Sequence, residues 1–428
     1  MDQSSKWPEW CDRIQSLRPT LMHAVGQADW LNGPRARAWR NILLAMTCLE
    51  ALVWVLFSRD GVDPTGKPLG TDFLSFYAAS KLALGGDPAS VYRVELHRAA
   101  QISVFGRDLG YAAYFYPPPF LLVCAPLAVL PYFAALAAWL ATTGAAFVAS
   151  LRGWLDRRLG WSTVAAFPAV LINIGHGQNA FLSAALFGAG AAWLESRPIL
   201  AGMAFGLVAF KPHLGLILPL AFAARGRWKV FIAAALTVTA FAAISLAAFG
   251  PDTWRGFLAG SALARATLEH GLVDPGKMVS AFAAVRVLGG SVGVAYAVQA
   301  LVTLAVAAAL VVALRRRPDA RLEGALIIVA CLLASPFLLD YDLALLAFPL
   351  AWLAKEGMRD GFRPVEKVAL LLGFLLPLVA RIFSLFAHLP LAPAVLLALF
   401  ALILRRAPMA DAGRLGRETV EIKDVVSV

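Results

Sequence analysis

Charge is scarce in this chain. Of its 428 residues only 15% are Asp, Glu, Lys or Arg, while 60% are hydrophobic and the mean hydropathy is +0.71. Soluble domains carry about 25% charged and about 45–50% apolar residues. A soluble enzyme, a disordered chain and a nucleic-acid-binding domain are therefore excluded. Cysteine is sparse too. Cys11, Cys48, Cys124 and Cys331 show no paired spacing, and three lie in or beside apolar segments. Neither a disulfide framework nor a zinc site is supported. No glycine-rich phosphate loop follows a strand, and there is no internal repeat or low-complexity tract. The first 38 residues are polar, mixed in charge and lack the apolar core of a signal peptide. They read as a cytoplasmic tail, as do residues 406–428.

What the chain does have is apolar runs, recurring almost to its end as in a polytopic membrane protein. They span roughly 39–58, 117–129, 132–150, 161–174, 180–195, 198–210, 213–224, 229–249, 291–314, 323–339, 342–354, 367–385 and 391–404. The formal charge of +11 resides largely in short basic clusters between these runs, such as Arg152/Arg157/Arg158 and Arg315/Arg316/Arg317/Arg321. Cytoplasmic loops collect Lys and Arg in this way. If 117–150 crosses the membrane once, with 117–129 a short re-entrant or interfacial helix, 26 of the 38 basic residues fall inside. The expectation is an all-α protein of about 12 transmembrane helices. Both tails lie inside, and one transmembrane domain spans 39–405. Two long outer segments, 59–116 and 250–290, remain. In the first, Phe73, Phe76, Tyr77 and Leu84 at helical spacing, then Leu96 and Ile102, predict two amphipathic helices on the membrane surface.

Polar residues gather in the outer connections. A charge near the bilayer centre costs about 2.5–3.5 kcal/mol, so such residues are candidates for function. Several runs are short for about 30 Å of hydrocarbon. The pairs meeting at Lys211-Pro212-His213 and at Asp340-Tyr341-Asp342 imply helices that stop at a wet cavity opening outward. Asp72 suits either a proton-accepting carboxylate at the cavity mouth or a helix N-cap. Lys211 suits either a cation for an anionic head group or a lysine snorkelling from a helix end. His213 and His176 read more simply as hydrogen-bonding helix ends than as metal ligands. Gln178 and Asn179 suit sugar hydroxyls or a turn at Gly177. Arg286 and Lys277 suit lipid phosphates at the surface, and Asp340-Tyr341-Asp342 has the form of a DxD tripeptide, common by chance.

Taken in order, these residues resemble glycosyltransferase family 87. The first outer loop of that family is similar to Asp72-Phe73-Leu74-Ser75-Phe76-Tyr77-Ala78-Ala79, followed by Leu84-Gly85-Gly86-Asp87-Pro88 and Val91-Tyr92. Further matches are Tyr116-Pro117-Pro118, Gly177-Gln178-Asn179, Lys211-Pro212, Ser280 and Phe282 with Arg286 and Gly289, and Ser335-Pro336 with Asp340. The resemblance covers roughly 40–405. Two departures bear on sugar and acceptor. Gln178 and Asn179 are adjacent where the family usually has an intervening residue, and Tyr341 and Asp342 stand where many members have histidines.

The resemblance implies a GT-C fold with active-site loops outside the membrane. It implies a donor sugar, mannose foremost, carried on a polyprenyl phosphate, and a lipid or glycan acceptor. In this reading Asp72 is the general base of an inverting displacement. Lys211, supported by His213 and Arg286, binds the donor phosphate, while Tyr116, Gln178, Asn179, Tyr341 and Asp342 bind substrate. No metal and no cofactor is required. Membrane lipids are partners, nucleic acid is not, and the location is a bacterial-type plasma (inner) membrane with the site on its outer face. The competing classes are a transporter or lipid flippase with an outward-opening cavity, and an inactive scaffold of envelope assembly. The former lacks sequence symmetry between its halves.

Overall fold

A computed structural model describes residues 26–407. Most of each tail expected at 1–38 and 406–428 therefore lies outside the described residues. Among the described residues the chain is all-α, with only isolated β-bridges such as Met278 to Leu339. The helices are α1 Gly33–Phe57, α2 Phe73–Leu84, α3 Val94–Phe105, α4 Pro119–Cys124, α5 Tyr132–Leu151, α6 Trp161–Ala165, α7 Pro168–His176, α8 Ala180–Trp193 and α9 Pro198–Leu207. They continue with α10 Leu218–Arg225, α11 Trp228–Glu269, α12 Ala281–Val287, α13 Val292–Arg315, α14 Ala320–Ala334, α15 Ala347–Asp360, α16 Glu366–Ala387 and α17 Ala392–Arg405. Five of them (α1, α5, α11, α13 and α16) are long and apolar enough to cross a membrane. Among the rest, α8, α9 and α17 are apolar but shorter.

The bundle is organised around α14. Every residue from Leu322 to Ala334 is buried, as expected of a helix that is apolar all round. Its one buried acid, Glu323, accepts hydrogen bonds from Arg225 Nε (3.2 Å) and Arg227 Nη2 (2.9 Å). Phe147, Trp154, Phe187 and Phe348 fill the adjoining core. Gly188 is needed there because a Cβ would fall 2.0 Å from the Phe348 ring.

Breaks in the helices follow the sequence. After α9 a 3₁₀ turn at Val208–Phe210 leads to Lys211 at φ −124°, ψ 72°, and a second turn at Pro212–Gly215 leads into α10. Within α11, Gly250 takes φ +76° before Pro251, so the helix kinks. Gly tolerates that φ and Pro has no N–H to continue the ladder. Helix α4 and the following turn at Ala125–Val129 form only a short segment, as expected for 117–129.

The amphipathic reading of 59–116 needs correction. In α2 every residue from Phe73 to Ser80 is buried, so it is an internal helix rather than one lying on a surface. Helix α3 covers it and turns a polar face inward. His97 Nε2 lies 3.0 Å from Ser75 O, and Gln101 Nε2 donates to Ala112 O (2.6 Å). Leu96 is exposed. The buried backbone of 75 and the part-buried backbone of 112 need partners, and that need outweighs the apolar spacing.

Three residues of the basic clusters and the candidate polar residues lie at different cavities. Arg321, Lys355 and Arg359 line a small cavity beside Trp154 and Asp319. The connections carrying the candidate residues meet in a much larger one.

Candidate active site

A cavity of about 1320 Å³ receives Asp72, Tyr116, Gln178, Lys211, His213, Tyr341 and Asp342 on its lining. His176, Lys277 and Asp340 line it as well. Seven of the nine residues chosen from sequence are thus brought together. Asn179 and Arg286 are not on the lining.

Asp72 stands immediately before α2, yet its side chain makes no capping hydrogen bond. Its carboxylate instead accepts from Gln178 Nε2 (3.0 Å) and lies 3.9 Å from His176 Nδ1. Its backbone N–H donates to His176 O (3.0 Å). One third of the side chain stays exposed. Gln178 cannot turn its amide round, because its Oε1 accepts both from Tyr116 Oη (3.1 Å) and from Asn179 N (2.7 Å). That leaves only Nε2 to meet Asp72. The adjacency of Gln178 and Asn179 therefore has a structural use: the asparagine's own N–H orients the glutamine, and its side chain is buried behind it.

One close approach and two hydrogen bonds hold this corner. Gly177 takes φ +62°, and a Cβ there would fall 2.6 Å from Phe73 Cβ. Trp139 Nε1 donates to Gly177 O (3.1 Å), and Tyr132 Oη donates to Leu69 O (2.7 Å).

The neighbouring part of the lining is ionic, reached through the His176 and Tyr341 rings, whose centroids are 6.1 Å apart. Lys211 Nζ donates to Asp342 Oδ1 at 2.6 Å, with side chains 3% and 2% exposed. The ammonium also sits 5.1 Å from the Tyr341 ring centroid. Lys211 neither snorkels nor stands free, and Asp342 is its partner rather than an open substrate ligand. Asp340 accepts from Tyr341 N (2.9 Å), and its other oxygen lies 3.0 Å from Arg381 Nε. The two acids of the DxD tripeptide thus serve different cations. Among the described residues, no group of three His, Cys, Asp or Glu is placed to hold a metal ion. His213 lines the cavity with its Nε2 buried and unpartnered.

Arg286, expected at the donor phosphate, is placed elsewhere. Its guanidinium donates to Gly290 O (2.8 Å) and Glu269 O (3.5 Å), tying its own loop together. Carbonyls at the end of α11 and in the loop after α12 compete for an arginine's fork of donors. Arg381 was missed from sequence. The signal was there: a lone arginine inside the apolar run 367–385, four residues after Pro377.

Part of the lining is apolar and belongs to α1. Leu43, Met46 and Trp54 face the cavity although no residue of that helix is buried. Leu378 and Ile382 of α16 line it too.

A family model described as Glycosyltransferase family 87 matches residues 114–336, just over half of the chain. Comparison with curated proteins and with solved structures gives no match.

Proposed function

The chain belongs to glycosyltransferase family 87, and on that premise we propose that it moves a hexose, mannose foremost, from a polyprenyl-phosphate-linked donor to a hydroxyl of a lipid or glycan acceptor. It is a membrane glycosyltransferase with an all-α fold. The proposal extends to a GT-C arrangement of about 12 crossings. Residues 39–405 form the transmembrane domain, both tails lie in the cytoplasm, and the cavity opens at the outer face of a bacterial-type plasma (inner) membrane. Short helices meeting at Lys211 and at Asp340 support that arrangement, since non-helical backbone at depth must line a cavity or be buried.

The observation that carries the reading is Asp72. A carboxylate at a helix start that makes no cap, lies on a large cavity and is held by an amide fixed from behind is suited to general-base work. In the proposed step the acceptor oxygen attacks the anomeric carbon from the face opposite the phosphate. Its proton passes to Asp72, and the bond between the anomeric carbon and the phosphate oxygen breaks. The electron pair of that bond goes to the phosphate, whose negative charge grows by one. Positive groups held in a water-poor wall stabilise that charge without reorganising. Lys211, backed by Asp342, supplies positive charge in such a wall, while His213, Tyr116, Gln178 and Tyr341 offer hydrogen bonds to the leaving group, sugar and acceptor. Arg286 keeps the role of a loop tie.

The test is transfer itself. Protein reconstituted in lipid is incubated with labelled polyprenyl-phosphate hexose and a membrane extract as acceptor. Label should move to a new lipid or glycan product. Label that crosses the bilayer unchanged would identify a transporter instead.

A further inference from the structure

The sequence pointed to Lys211 and Arg286 for the donor's phosphate, but both are committed: Lys211 to Asp342, Arg286 to backbone carbonyls. We propose that Arg381 is the residue that binds the phosphate of the lipid-linked donor, and that Asp340 competes with that phosphate for it. The proposal rests on the transferase reading and deepens it.

Four observations converge on Arg381. It is a half-buried cation on the cavity lining, with its side chain 32% exposed, so a ligand can reach it. Its tie to Asp340 is incomplete. Nε lies 3.0 Å from Asp340 Oδ2, yet the N–H is not aligned for a hydrogen bond and the buried nitrogen has no partner. Phosphate, with three or four oxygens, meets a guanidinium fork in ways one misaligned carboxylate does not. A second cation stands on the same cavity. Lys277 lines it from the turn Pro275–Lys277, which packs on α16 so closely that a Cβ at Gly276 would fall 2.5 Å from Leu385. Finally, Leu378 and Ile382 flank Arg381 on α16 and line the cavity, which on another side is walled by the unburied α1. A charged head with an apolar path beside it suits a phosphate that carries a long hydrocarbon chain.

Arginine also suits the chemistry. The donor's phosphodiester carries one negative charge, and the polyprenyl phosphate that leaves carries up to two. A fixed cation at the departing oxygen is therefore worth more in the transition state than in the ground state.

The full-length protein in phosphatidylcholine nanodiscs is titrated with undecaprenyl phosphate, with undecaprenol and phosphatidic acid as comparison ligands, following the shift in thermal inactivation. Undecaprenyl phosphate should stabilise the wild type and the other two should not. Arg381→Gln should weaken that binding about 10- to 100-fold, as expected for loss of a charge-assisted hydrogen bond, and Arg381→Lys should restore part of it. Asp340→Asn should tighten binding, because the competitor's charge is gone. A purely structural pair would not produce opposite signs in its two halves. Unchanged affinity in both Arg381 variants overturns the proposal while leaving the transferase reading intact, as does equal stabilisation by phosphatidic acid. If the wild type transfers no sugar and ignores undecaprenyl phosphate, both fall together.

Discussion

At the scale of single residues, the site rests on which side chains are already occupied. Asp72 is free of the capping duty that its position invites, and this separates two demands on one carboxylate. Asp72→Asn keeps an oxygen that accepts from Gln178 but cannot take a proton at neutral pH. It should express and fold as wild type while transfer falls about 10²–10⁴-fold, the usual contribution of a general base; normal turnover would return Asp72 to a structural role. Lys211 and Asp342 are the opposite case, a pair buried together. Lys211→Met strands a buried carboxylate and should cost about 3–5 kcal/mol, read as faster thermal inactivation. Lys211→Met/Asp342→Leu should recover most of that stability, since apolar replacements of buried pairs are often neutral. Its transfer rate should remain low, because the wall has lost its positive end. Recovery of both stability and rate would make the pair scaffolding only.

At the scale of elements, α2 and α3 show how an apolar pattern is reassigned by its neighbours. Helix α2 is internal, and the polar face of α3 seals it through His97 and Gln101. Burial holds the His97 imidazole well below its ordinary range, at about 4. A histidine depressed in the fold takes up protons more readily when unfolded. Its contribution is therefore complete above about pH 6.5, is lost as pH falls, and is gone below about pH 4. The protection factors of the amides of 94–105, with observed rates corrected for intrinsic exchange, should fall between pH 7 and 4.5 by at most tenfold per unit, and a His97→Gln variant should lack that pH dependence. An equal fall in protection in both proteins would place the sensitive group elsewhere.

At the scale of the whole molecule, candidate polar residues and basic residues lie at separate cavities, and the proposed topology puts the first outside and the second inside. Asp72, Lys211 and Asp340 meet at one cavity, whereas Arg321, Lys355 and Arg359 gather at another. In a variant without native cysteines, a cysteine placed at the exposed Thr65 should react with a membrane-impermeant reagent in intact cells. One placed at the exposed Arg316 should react only after lysis. The reverse pattern would invert the topology and move the proposed chemistry to the cytoplasm.

The membrane class, the helical runs and their breaks were legible in the sequence because they are local properties. Mean hydropathy, the end of the apolar run at 249 and Lys211-Pro212 act on the backbone wherever the chain lies. The family was legible as well, since an ordered set of motifs survives without knowledge of contacts. What the tertiary structure alone decided is partnership. Gln178 meets Asp72 across 106 positions, and Lys211 meets Asp342 across 131. A charge becomes a ligand, a base or a strut according to what opposes it, and no spacing along the chain records that. Arg286 looked available and is tied to carbonyls, while Arg381, passed over inside an apolar run, stands on the cavity wall. The physical reason is the low dielectric of the bundle, where every ion and every backbone carbonyl must find a partner, and packing determines which one it finds.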